Sequence, residues 1–311
     1  MQKFYPMNID RREALRILAL GGMTSCLFGS SLFAGMELKK TKLRYALATS
    51  LFGTEPIEEI LSVTKSTGAE WIDLWPLRHG NQREQVAEMG TEKFVELLKK
   101  HDVKLGLTTR FDLGPFGLKD EMKFVSELGG TVIVTGPEGP KEQKGNDLKK
   151  AIGVFHEQLK PHVEEAEKHG IVIAIENHSN MLLDSPDAVK YFIDEIRSES
   201  LGIAFAPYHL PQDSGLLADL IKHCGSKLAV FYAWQHGNGC MTKLPKDEEL
   251  LQLPGRGTLD FAPLMAALNE IGYKGFTEIF MHPFPRGIPI MEDVRRSAAE
   301  IQRSLDYLEK L

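Results

Sequence analysis

From residue 43 onward the chain alternates short apolar runs with longer stretches in which apolar residues recur every three or four positions. The short runs read as strands over residues 43–49, 71–75, 104–109, 131–135, 172–176, 202–205, 228–232 and 275–279. The stretches between them read as helices, and their ends carry start and stop signals. Ser185-Pro186 ahead of Asp187-Ala188-Val189 sets a hydroxyl cap before a proline in the first turn, where its missing N–H costs nothing. Residues 260–271 begin on the acid Asp260 and stop at Gly272, which is free to take the left-handed turn that ends helices.

Eight strand–helix units in a row, with strands apolar on both faces, fit a parallel sheet covered by helices. The fold expected is α/β, a (β/α)8 TIM barrel formed by residues 40–311 as one domain, with a doubly wound open sheet as the alternative. No linker rich in Pro, Gly or Ser divides the repeat. No glycine-rich phosphate loop follows a strand. Gly255-Arg256-Gly257 is too short and lies in a long loop, so no nucleotide cofactor is expected.

Ahead of the repeat, Asp10-Arg11-Arg12-Glu13-Ala14-Leu15-Arg16 precedes an apolar stretch over residues 17–33 that glycines and serines interrupt. A basic start and a short apolar run mark an export signal over residues 1–35 rather than a spanning helix. The segment resembles the twin-arginine signal, although Ala14 stands where that pattern prefers Phe. Met23-Thr24-Ser25-Cys26 resembles a lipoprotein cleavage box, which would put a lipid on Cys26; cleavage near Ala34 is the alternative. The location expected is periplasmic or exported, with membrane contact only through the leader or that lipid.

Composition adds limits. The 311 residues are 42% hydrophobic and 26% charged, as in an ordinary globular chain. The formal net charge is −6, and because the leader carries +2 the remainder carries −8. An acidic body gives no footing for nucleic acid or an anionic membrane surface. Three cysteines make no disulfide framework, leaving only Cys224 and Cys240 as a pair to consider. Oligomerisation is compatible with the sequence, though no surface patch in it demands association.

Chemistry gathers at the strand ends, which form the site in a barrel of this kind. Strand five closes with Glu176-Asn177-His178, and strand alternation turns Glu176 and His178 to one side. His209 follows strand six, Trp234 and His236 follow strand seven, and strand eight carries Glu278 ahead of His282 and Arg286. A lone histidine at a strand end is more often a satisfied polar residue than a ligand. Four of them with two glutamates at one barrel face point instead to a site. The other six histidines read as solvent-exposed, and Asn177 reads as an orienter of backbone. Asp73, between Trp71 and Trp75, is placed to reach the site, while the three tryptophans including Trp234 are core, pocket wall or sugar-stacking surfaces.

These strand ends, with Pro254-Gly255-Arg256-Gly257 leading to Leu259-Asp260-Phe261 and Gly272-Tyr273-Lys274-Gly275 before Glu278, resemble the xylose-isomerase-like TIM-barrel superfamily. That group includes sugar phosphate isomerases and epimerases, ketose epimerases and hydroxypyruvate isomerase. The resemblance covers residues 43–310 and is most specific from residue 171 onward. It implies two glutamates, from strands five and eight, that bind a divalent metal and move a proton on the carbon next to a carbonyl. Those catalytic roles fall on Glu176 and Glu278. It also implies an Asp ligand on strand six followed three residues later by a substrate-contacting His. His209 matches the His, but Ala206 stands at the Asp position. The strand-seven His position falls near Tyr232 or Trp234, and His236 is the nearest imidazole. The metal set so implied is Glu176, His209, His236 and Glu278, a mix that suits Mn²⁺, Zn²⁺ or Fe²⁺ better than Ca²⁺.

Substrate contacts are expected from His178, His209, Trp234, Arg256, His282 and Arg286; the two arginines are either solvent-facing charges or clamps for an anionic group. The function expected is an exported carbohydrate isomerase or epimerase acting on a small-molecule sugar by metal-assisted proton abstraction next to a carbonyl. A keto-glycoside lyase, a glycoside hydrolase, a metal-free site with histidines on the enolate, and a barrel that only binds sugar are the alternatives.

Overall fold

The structure, a computed structural model, describes residues 41–236 and 241–311. The export leader expected over residues 1–35, and with it Cys26, lies outside the described residues, as does Cys240. Among the described residues no helix is long and apolar enough to cross a membrane.

Eight strands form: β1 (Arg44–Ala48), β2 (Trp71–Leu74), β3 (Lys104–Thr109), β4 (Val132–Thr135), β5 (Val172–Glu176), β6 (Leu201–Phe205), β7 (Leu228–Ala233) and β8 (Phe276–Ile279). Each pairs in parallel with the next, and β8 pairs with β1, so the sheet closes into a barrel. Closure removes both sheet edges and excludes the doubly wound alternative. Strand ends lie within one residue of those expected, because an apolar run flanked by turn residues marks the stretch buried on both faces.

Helices between the strands cover the barrel. Ser185 caps the helix Pro186–Glu195 by accepting from Ala188 N, as the sequence indicates. The helix Ala262–Glu270 starts two residues later than expected, after Asp260 has accepted from Ala262 N, and the chain turns at Gly272 with φ +59°. The longest helix, Gly145–His169, buries Leu148, Ile152, Phe155, His156, Leu159, Val163 and Ala166 along one stripe. His156 corrects the expectation that every histidine off the strand ends is exposed: it is buried, stacked on Phe192, with Nε2 3.0 Å from the Phe192 carbonyl oxygen. Cys224 is a free, buried thiol among the described residues.

Two loops lock the rim over the first and last strands. Gly53, at φ +58°, lets the turn after β1 press against residues 287–289, where a Cβ would come within 2.5 Å of the Ile288 carbonyl carbon. Phe52 bridges to Pro289 at the same place. The turn after β1 and the loop around residues 287–290 therefore pack as one unit on the rim.

Candidate active site

The carboxyl ends of β2, β3 and β5–β8 enclose a cavity of about 540 Å³. Its walls are largely aromatic. Trp75 stacks on Phe280 at 5.1 Å, and Tyr208 lies flat on Trp234 at 3.9 Å. Trp234 is held by its own N–H, which donates to Gln252 Oε1 at 3.0 Å. Such flat apolar faces match the C–H faces of sugars.

Among the described residues Glu176 is the one carboxylate on the cavity wall. It closes β5, and burial pushes its carboxyl up to about 7, partly offset by His178. Asn177 points the other way and clamps the neighbouring strand end: its Nδ2 donates to the Ala206 carbonyl at 2.9 Å, and Ala206 N donates to its Oδ1 at 2.8 Å. The clamp fixes the start of the short turn Pro207–His209 that carries His209 over Glu176.

Beside Glu176 stand two imidazoles, with ring centroids 3.9 Å apart. His178 Nδ1 donates to the Ser179 carbonyl at 2.8 Å; a carbonyl only accepts, so His178 Nε2 is left with a bare lone pair. His209 Nδ1 is 3.1 Å from the Ser179 hydroxyl, and its Nε2 has no hydrogen-bond partner and lies 3.5 Å from Glu176 Oε1. Burial pushes His209 down to about 3, helped by His236 and Arg286, and lowers His178 as well, so both imidazoles are neutral. One ligand atom each from Glu176, His178 and His209 lies within 4.8 Å of the other two, close enough for the three to hold a single metal ion.

A second imidazole pair lines the opposite wall. His79 and His282 stack at 4.7 Å, and burial, with the Arg286 charge close by, pushes His79 down to about 4 and His282 well below its usual range. Arg286 also lines the cavity and donates to the Pro283 carbonyl at 3.1 Å.

Glu278 takes a different place from the one expected. It is fully buried behind the wall, and its carboxyl contacts that of Asp73. β1 lies between their strands and presents Ala46 opposite Glu278 and Ala48 opposite Asp73, so two small side chains leave room for the acids to meet. Asp73 Oδ2 accepts from the Thr109 hydroxyl at 2.7 Å, whereas Asp73 Oδ1 and both Glu278 oxygens meet no donor. Two carboxylates in contact favour holding a proton, and burial raises both acids.

A model of the xylose isomerase-like TIM barrel family matches residues 61–311 of the chain. The chain belongs to that family. The solved structure of the IolI protein with a bound zinc atom superposes at a TM-score of 0.66, with 15% identity over 86% of this chain and 99% of that one. D-psicose 3-epimerase of Clostridium cellulolyticum with D-tagatose gives 0.62, with 15% identity over 86% and 99%. The 3-keto-D-glucoside 4-epimerase YcjR of E. coli gives 0.61, with 16% identity over 87% and 100%. At these identities the likeness establishes the fold. An uncharacterized protein of Methanocaldococcus jannaschii is 25% identical over 202 residues, covering 60% of this chain and 67% of its own.

The metal set implied by the family pattern is not what this barrel assembles. Ala206 offers only a methyl group, Tyr232 and Trp234 occupy the strand-seven positions, and Glu278 is turned onto Asp73. His236 lies at the exposed rim, its ring 5.0 Å from that of Tyr208 and its backbone N–H on Gln212 Oε1, outside the group formed by Glu176, His178 and His209. Of the substrate contacts expected, His178, His209, Trp234, His282 and Arg286 line the cavity. Arg256 does not; it forms a two-point pair with Glu300, Nε to Oε2 at 2.8 Å and Nη2 to Oε1 at 2.5 Å. Trp71 sits at the amino end of β2 against Phe276, under the Arg44 guanidinium, far along the strand from Trp75.

His79, Phe111, Ser179 and Tyr208 line the site without having been singled out. His79 follows β2 by five residues and Phe111 follows β3 by two, so position after a strand was the signal available for both. Nothing in the sequence marks Ser179, because its role depends on where His209 arrives from the next strand.

Proposed function

We propose that this barrel is a sugar isomerase/epimerase-like enzyme that moves a proton on a carbon next to a carbonyl, with Glu176 carrying the proton. The observation behind this is the position of Glu176: a carboxylate on the wall of an aromatic-lined cavity, flanked by neutral imidazoles. A carboxyl whose affinity for a proton is raised toward neutrality both takes and returns one readily. The solved neighbours that are sugar epimerases support the same class of substrate.

In this scheme the cavity holds a keto-sugar with its ring against Trp234, Trp75 or Phe280. Glu176 removes the proton beside the carbonyl and returns it to a neighbouring position or to the opposite face. His178 and His209 lie where the developing enolate oxygen needs a donor or a cation. A metal held by the Glu176, His178 and His209 group would supply Lewis-acid stabilisation of that oxygen. Arg286 and the His79–His282 wall face the remainder of the substrate. Hydrolysis by two carboxylates is less well served, since Glu278 lies behind the wall rather than across the cavity from Glu176.

Replacing Glu176 by Gln keeps size and hydrogen bonding while removing the base. Turnover in a panel of free and glycosidic keto-sugars is expected to fall about 10²- to 10⁴-fold with the fold intact. Unchanged turnover in Glu176→Gln would remove the assignment. Residues 1–35 we read as a twin-arginine-type leader that carries the enzyme out of the cytoplasm; retention inside the cell of an Arg11→Lys/Arg12→Lys variant, by fractionation, is the expected result.

A further inference from the structure

We propose that this chain holds a divalent transition ion through Glu176, His178 and His209, and that Ser179 is the positioning residue that aims both imidazoles at it. The set differs from the carboxylate-rich one the family pattern implies, and it lies on two adjacent strand ends rather than around the barrel. It concerns the same cavity as the proton-transfer scheme but stands on ligand geometry, so ion binding holds even if Glu176 carries no proton.

The spacing suits an ion. Around a metal with bonds of roughly 2.0–2.1 Å, neighbouring donors of a tetrahedral site lie about 3.4 Å apart. Glu176 Oε1 and His209 Nε2 are 3.5 Å apart, too long for a good hydrogen bond but right for two ligands of one ion. His209 Nε2 is buried with no partner, which without an ion is a lost hydrogen bond at the centre of the site. The third donor, His178 Nε2, carries a lone pair by the tautomer argument above. Two imidazoles and one carboxylate favour zinc, cobalt or ferrous iron over magnesium or calcium, which seek oxygen. Three protein ligands leave positions open for a substrate oxygen.

Ser179 serves both rings at once. Its carbonyl takes the His178 Nδ1 proton at 2.8 Å, and its hydroxyl meets His209 Nδ1 at 3.1 Å. Metal-bound histidines characteristically give their second N–H to such outer groups, which fix ring orientation and basicity. The residue itself is the second residue of a turn that His178 begins, in which Met181 N donates to the His178 carbonyl and His178 N to the Leu183 carbonyl. Asn177 fixes the other side through Ala206, so both imidazoles are set from rigid strand ends.

The test is a Co²⁺ titration of the metal-stripped full chain against a chromophoric chelator, with the cobalt visible bands as a second readout. About one Co²⁺ per chain with the intense bands of a low-coordinate site is expected. His178→Gln and His209→Gln should lose it, with circular dichroism confirming the fold. Ser179→Ala should weaken binding roughly 10- to 100-fold and shift the bands, and Ser179→Thr should restore both. Wild-type chain without stoichiometric Co²⁺, binding unchanged in His178→Gln, or binding lost in Glu278→Gln but kept in His178→Gln would overturn the ligand set. Wild-type affinity in Ser179→Ala would overturn the positioning role.

Discussion

Asp73 and Glu278 bring their carboxyls together inside the barrel, and the two alanines of the intervening strand leave room for that meeting. Neither acid faces the cavity, yet both lie close enough to Glu176 for its charge to be felt. The barrel thus stores a buried acid pair close to Glu176, the one wall-lining carboxylate among the described residues.

This pair makes stability depend on pH. Burial raises the folded pKa values of both acids above the ordinary carboxylate value of roughly 4; the Glu176 charge adds to both and the Asp73 charge to Glu278, whereas the contact with Glu278 partly offsets the rise at Asp73. The folded chain therefore binds more protons than the unfolded chain, and the contribution is fully present below about pH 4 and lost as pH rises through the folded values. Asp73→Asn, whose amide can donate to Glu278, should lose less stability on the alkaline side. Its Tm relative to wild type, measured in chelator, should rise steadily from pH 5 to pH 9. Parallel Tm–pH curves for the two proteins would show that no such proton is shared.

Asn177 should carry an unusual share of the stability of the rim. Its two hydrogen bonds satisfy both backbone groups of Ala206, all of them buried. Asn177→Ala strands the Ala206 N–H, while the Ala206 carbonyl keeps the bond it accepts from His209 N, so urea unfolding should show a loss of about 1–3 kcal/mol. A loss below about 0.5 kcal/mol, within the range of ordinary surface substitutions, would mean that β6 holds its end without the clamp.

Cys224 should be inert while the barrel is folded. It is 2% exposed, and burial pushes its thiol up to about 12. In a Cys26→Ser/Cys240→Ser background, a thiol reagent should label it only as fast as the chain opens, and labelling should accelerate with urea. Labelling at the rate of a free thiol in native buffer would contradict its burial.

The sequence makes the barrel legible for a plain physical reason. Strands buried on both faces are apolar runs, and eight such runs with helices between them have one economical closed arrangement. It also locates Glu176, His178, His209, His282 and Arg286, because position just past a strand end is enough to put a side chain at the carboxyl face. Orientation is another matter. Glu278 lies one residue short of its strand's end and Glu176 at the end of its own, but the room left by Ala46 and Ala48 turns Glu278 to Asp73, and register across three strands cannot be read from one run. Arg256 reads as a clamp until the last helix brings Glu300 beside it. Ser179 acquires meaning only through a residue thirty positions away.

The most direct measurement of the central claim is solvent isotope exchange. In D2O, the wild-type chain with its keto-sugar substrate should place deuterium on the carbon next to the carbonyl, seen by NMR, and Glu176→Gln should place none above the uncatalysed rate. Turnover by the wild type with no deuterium entering product, or exchange undiminished in Glu176→Gln, would contradict proton transfer through Glu176.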